Sequence, residues 1–102
     1  MDSVLCSANA QSMKYYYNED EFGILPEEVK NTLKAILTGY CADVGGVIVL
    51  SFNDEYELAI QAIDPIDEIG SELLIKRIQI RYAELFEKLE LFYREADKLK
   101  KG

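Results

Sequence analysis

The sequence predicts an α+β protein in which one helix precedes a two-stranded antiparallel hairpin and a long C-terminal helix, and which pairs as a dimer. Three observations predict this order. An apolar stripe of helical period covers residues 26–42, two strand patterns cover residues 47–62, and helical spacing continues over residues 65–99. The chain has 102 residues, enough for one domain. We expect a flexible segment over residues 1–14 and a single domain over residues 15–102.

The first helix is predicted by its start signal and its stripe. Pro26 suits the first helical position, and Glu27 and Glu28 complement the positive end of the helix dipole. Gly45 and Gly46 are expected to end the helix.

The hairpin is predicted from two short runs. Residues 47–52 are β-branched and apolar on both faces, which is typical of a strand covered on both sides. After a polar turn, Tyr56, Leu58 and Ile60 alternate with other side chains, as in a strand with one solvent-exposed face. The aromatic triplet at residues 15–17 favours a short strand or arm docked on the core, and the alternative is a surface patch for a partner.

The last helix is expected to begin with Asp64 as its cap and Pro65 at its first position. Gly70 and Ser71 then interrupt an otherwise continuous pattern. Because glycine is unfavourable inside a helix, we expect a close backbone contact or a kink there.

A heptad seam downstream of Gly70 is the main sign of self-association. Its apolar residues are spaced alternately three and four apart, as in a coiled coil. The first helix covers only about half of such a seam, so the economical source of a second helix is another copy of the chain. The alternative is that the seam packs within one chain. The predicted interface residues are Ile75, Ile78, Tyr82, Leu85, Leu89, Phe92 and Leu99.

Composition excludes several function classes. A formal charge of −8, from 19 acidic and 11 basic residues, argues against nucleic acid as a partner. The chain has no histidine, the commonest general base and metal ligand, and its two cysteines do not form a zinc motif. We therefore expect no enzyme activity and no catalytic, cofactor-binding or metal site. No apolar run is long enough to span a membrane, and a cytoplasmic location without membrane binding is expected.

Charge is unevenly distributed along the chain. Residues 1–65 hold all of the net negative charge and only three basic residues, whereas residues 66–102 are neutral. The acidic half either steers a basic partner or keeps the protein dissolved.

Four segments of the chain resemble a family of short acidic bacterial proteins with no assigned function. They are residues 15–20, 25–30, 43–47 and 67–73, and the resemblance extends over most of residues 13–95. It implies a cytosolic protein and brings no catalytic residues. At the level of fold, the chain is similar to roadblock-type dimeric scaffolds near small GTPases, and in size and charge to dimeric secretion chaperones.

These observations lead to two functional hypotheses. The first is a non-enzymatic homodimeric interaction or adaptor module, whose partners are a second copy and an unidentified protein. The second is a small-ligand sensor, with a pocket between hairpin and helices lined by Tyr40, Phe52 and Tyr56.

Overall fold

A computed structural model describes residues 3–101, so the first two residues of the segment expected to be flexible lie outside the described residues. The same order of elements, two strands followed by two helices, occurs twice along the chain. In chain order they are β1 (Ser3–Asn9), β2 (Lys14–Tyr17), α1 (Glu19–Phe22), α2 (Glu27–Val44), β3 (Val47–Phe52), β4 (Leu58–Ile63), α3 (Glu68–Arg81) and α4 (Ala83–Lys101).

The α+β class is confirmed, but the sheet is larger than the two-stranded hairpin that the sequence predicts. The β3–β4 hairpin is present, and two N-terminal strands extend it into a four-stranded antiparallel sheet of order β2-β1-β3-β4. A hairpin alone is marginal in water, and the added strands supply the width it lacks.

Strand β1 lies inside the segment that we expected to be flexible. Its alternation is broken by an irregularity between Val4 and Cys6, so that Leu5 and Cys6 are both fully buried. A bulge of this kind puts two neighbouring residues towards the same side and disrupts the period of two. Small side chains and the bulge together explain why no strand pattern is visible in the sequence.

The tyrosine triplet is confirmed as a strand, the edge strand β2. Tyr15 and Tyr17 pack against the core, and Tyr16 between them is 52% exposed. The Tyr17 hydroxyl donates a 2.6 Å hydrogen bond to the Phe22 carbonyl oxygen, which ties β2 to α1.

The core lies between the helices and one face of the sheet. Tyr40 and Leu37 on α2 and Leu50 and Phe52 on β3 are almost fully buried there. Tyr93 on α4 stacks on Phe52 with ring centroids 4.4 Å apart. The hydrophobic layer is therefore closed within a single chain.

Helix α2 has the limits that the sequence predicts to within two residues. Gly45 and Gly46 follow it with φ of 71° and 75°. A side chain at Gly46 would place its Cβ 2.6 Å from the Ile63 carbonyl oxygen. This turn from α2 into β3 thus needs glycine for both conformation and space.

The predicted long C-terminal helix is two helices. Tyr82 ends α3 with φ of −109° and ψ of 21°, and α4 begins at Ala83. The break lets α3 pack against α2 while α4 packs against β4, which one straight helix could not do. The cap also differs from the prediction, since Asp67 accepts a hydrogen bond from the Gly70 N–H and Asp64 lies in the preceding turn with φ of 49°.

Candidate interaction surface and binding groove

The predicted heptad seam is mostly used inside the chain. Ile78 and Leu89 are 6% and 3% exposed. Ile75, Tyr82, Leu85 and Phe92 are half-buried against the same core, and Leu99 is 83% exposed near the end of α4. Of the seven predicted interface residues, only Leu99 is largely exposed. Most of this apolar stripe packs against the core that α2 and the sheet share.

The opposite side of α3 carries a second apolar stripe, which the sequence reading missed. Ile69, Leu73 and Ile80 are 76%, 61% and 80% exposed. At 100° per residue these three side chains and Lys76 lie within about 60° of the helix circumference. Large aliphatic residues grouped on one exposed helix face can form a contact with another molecule. We call Ile69, Leu73, Lys76 and Ile80 the α3 stripe.

The α3 stripe is symmetric about the middle of its helix. Its members are spaced four, three and four residues apart, so the order of intervals is the same in both directions. Charge changes sign across the same midpoint, because Glu68 and Glu72 precede it and Arg77 and Arg81 follow it. The signal was present in the sequence, but the longer seam on the other side of the helix obscured it.

The pocket predicted between hairpin and helices is filled by side chains. Tyr40 is 1% exposed, and its hydroxyl forms a hydrogen bond with Ser71 on α3. Phe52 is fully buried beneath Tyr93, and the Tyr56 hydroxyl donates a 2.6 Å hydrogen bond to Asp97. The side chains of Tyr40, Phe52 and Tyr56 thus hold elements of the fold together. They do not surround the open pocket that the sequence predicts.

An open groove of about 480 Å³ lies elsewhere, between the β1–β2 hairpin and α2. Small side chains, Tyr15 and Met13 line it. The lysines Lys14 and Lys34 also belong to the lining. The Lys34 ammonium lies 5.8 Å from the centre of the Tyr15 ring, within the range of a cation–π contact.

Ionisable groups of β1 and β2 are held neutral by burial. Burial raises the pKa of the Cys6 thiol to about 12, although the nearby Tyr15 hydroxyl partly opposes this. The pKa of Tyr15 is raised by burial and by the Cys6 thiol, and the Tyr15 hydroxyl has no hydrogen-bond partner among the described residues. The pKa of Tyr17 is raised to about 12, by burial first and then by Glu19. At neutral pH these groups are protonated, and the Cys6 thiol is a poor nucleophile.

Several acidic side chains lie in caps, turns and surface ion pairs. Asp67 caps α3, and Glu19 and Glu27 both pair with Lys30, at 3.1 and 3.5 Å. Within residues 3–101, no three His, Cys, Asp or Glu side chains are grouped so that they could hold a metal ion. None of the helices described is both long and apolar enough to cross a membrane.

Comparison with known proteins finds one family. The family model described as "Family of unknown function (DUF6145)" matches residues 2–101, almost the whole chain. No curated protein and no solved structure matches the chain. The resemblance to an uncharacterised family is thereby confirmed, whereas the likeness to roadblock-type scaffolds stays a prediction.

Proposed function

We propose that this chain, which belongs to the DUF6145 family of unknown function, acts in the cytoplasm as a non-enzymatic homodimeric interaction module whose copies pair through α3. The observation that carries the proposal is the α3 stripe, an exposed face of three aliphatic side chains and Lys76 whose four positions have the same spacing in both directions. A twofold dimer requires a surface that complements itself, and a symmetric stripe meets this requirement.

The proposed pairing is antiparallel. With the midpoints of the two α3 helices in register, Ile69 of one copy lies opposite Ile80 of the other, and Leu73 lies opposite Lys76. Lys76 can cover Leu73 with its aliphatic stem. Glu72 then lies within one helical turn of the second copy's Lys76, and both side chains are on the same side of the line along which the two helices meet. The acidic half of each helix also lies beside the basic half of the other, and the helix dipoles oppose each other.

The area available suits a dimer of moderate affinity. Three aliphatic side chains from each copy, at about 100 Å² of apolar surface apiece, would bury roughly 600 Å². With the polar rim this corresponds to a total of about 1,000 Å², near the lower limit for a specific interface. Because interfaces near this lower limit are typical of weak, transient pairs, we expect a dissociation constant in the micromolar range. Because the core closes within one chain, the monomer would remain folded.

Light scattering after size-exclusion chromatography, over a wide range of concentrations, tests the proposal. The expected mass is twice 11.6 kDa at high concentration and falls towards 11.6 kDa on dilution. A mass of 11.6 kDa at every concentration would rule out the dimer.

Charge-reversal variants test the antiparallel geometry. Glu72→Lys and Lys76→Glu each place like charges across the interface and should weaken the dimer, and the combined variant should restore most of the affinity. If the combined variant is as weak as the singles, the two side chains do not face each other. A dimer also holds two copies of every other surface of the chain, which is the property required of an adaptor.

A further inference from the structure

The groove between the β1–β2 hairpin and α2 has the size and lining of a small-molecule site. Its volume of about 480 Å³ falls within the usual range for such sites. The small side chains of Ala8, Ala10 and Ala42 leave space along its lining, to which the exposed Met13 also belongs. None of the α3 stripe residues is part of the lining, so the groove is separate from the proposed dimer interface.

Charge distinguishes this groove from the rest of the molecule. Residues 1–65 contain only three basic side chains, Lys14, Lys30 and Lys34. Lys30 is neutralised by its two ion pairs with glutamates. The other two both line the groove, neither has an ion pair among the described residues, and no carboxylate is part of the lining. In a protein of net charge −8, the groove is therefore a local site of uncompensated positive charge.

The lining selects a ligand with two chemical parts. The alanines, Cys41 and the Tyr15 ring offer an apolar surface, which suits a short alkyl or aromatic body. The two ammonium groups suit an anion, and Thr38 adds a hydroxyl. A purely polar anion would leave the apolar part of the lining without contacts, and an uncharged apolar molecule would leave the lysines without a counter-charge. We propose that the groove binds a small carboxylate with an apolar body.

Cys41 supplies a direct measure of occupancy. It lines the groove and is half-buried, whereas Cys6 is fully buried. Iodoacetamide should therefore alkylate Cys41 first, and mass spectrometry of the peptides gives the rate at each cysteine. Octanoate below its micellar concentration is expected to slow alkylation of Cys41 in a saturable way. Neutral 1-octanol is expected to protect less well, and the difference should vanish at about 1 M salt, where the Debye length is about 3 Å.

Variants of the two lysines locate the binding. Lys14→Met and Lys34→Met keep an unbranched apolar side chain and should each raise the octanoate concentration for half-protection about threefold, and the double variant about tenfold. Ala42→Phe fills the groove from an exposed helix position and should abolish protection while leaving the fold intact. Lys88→Met on α4 removes the same charge outside the groove and should change nothing.

The proposal is overturned if octanoate does not protect Cys41, if octanol protects equally well at low salt, or if Lys88→Met weakens protection as much as the groove variants. The binding proposal can be tested separately from the dimer proposal, because Ile80→Glu should give a monomer that still binds octanoate.

Discussion

Replacing Ile80 with glutamate should separate the proposed dimer without unfolding the chain. The side chain is 80% exposed in the single chain, so its loss should change the free energy of unfolding of the monomer by no more than about 0.5 kcal/mol. In the dimer each Ile80 would lie opposite Ile69 of the other copy. The same substitution therefore has different consequences in the two states.

The size of the effect follows from the surface that Ile80 has left to bury. Full burial of an isoleucine side chain is worth about 2 kcal/mol, and four-fifths of that is available here. The dimer contains two such side chains, so the expected loss is about 3 kcal/mol, or roughly a 150-fold rise in the dissociation constant. The carboxylates, which would also be desolvated, can only add to this loss.

Sedimentation equilibrium over a range of loading concentrations measures the dissociation constant, and far-ultraviolet circular dichroism checks the fold. Leu99→Glu is the matched control, because Leu99 is equally exposed but lies on α4 at the end of the predicted seam. It should dimerise like the unmodified chain. If Leu99→Glu separates the copies and Ile80→Glu does not, the seam on α4 forms the interface and the reasoning about α3 fails.

Three further predictions concern stability, each read from urea denaturation. Leu89→Ala should lower the free energy of unfolding by about 2–5 kcal/mol, because Leu89 is buried in the core. Leu99→Ala should leave the free energy of unfolding unchanged. Equal effects of the two substitutions would mean that Leu89 is not a core residue. Gly46→Ala should destabilise by more than about 1 kcal/mol because of its positive φ and the nearby Ile63 carbonyl, whereas Gly39→Ala, in a helix with open space around it, should stabilise by about 0.4–1 kcal/mol. The folded pKa of Cys6 lies above its ordinary value of 9, so its contribution is complete below pH 9 and is lost towards pH 12. Cys6→Ala should therefore reduce the fall of stability between pH 9 and 12 by about 1.4 kcal/mol per pH unit, and an unchanged slope would place the thiol in water.

Elements with strong local signals could be predicted from the sequence. Helix α2 has an acidic first turn and a glycine pair after its end, and β3 begins with three β-branched residues, so both are found where the sequence predicts them. Strand β1 could not be predicted, because its bulge breaks the alternation on which strand prediction depends. The break at Tyr82 was equally hidden, since it involves neither proline nor glycine and is set by the different packing partners of α3 and α4.

The candidate sites were less predictable than the fold. The α3 stripe is visible in the sequence, but only the structure distinguishes it from the buried stripe on the same helix. The groove could not be foreseen, because its lining comes from β1, β2 and α2, and β1 itself was not predicted. A pocket was instead expected at large aromatic residues, which in the structure fill the core.

The antiparallel pairing of α3 is the central claim, and a distance between the two copies tests it most directly. A nitroxide label at Glu68→Cys, in a Cys41→Ser background, gives one labelled site per chain because Cys6 is fully buried. Antiparallel helices in register separate the two labelled positions by about 13 residues along the helix axis, or about 20 Å. Pulsed electron paramagnetic resonance should find a distance near that value, which disappears in Ile80→Glu. A separation near 10 Å would indicate parallel helices. If no dipolar coupling is found at a concentration where the mass is doubled, the interface lies away from α3.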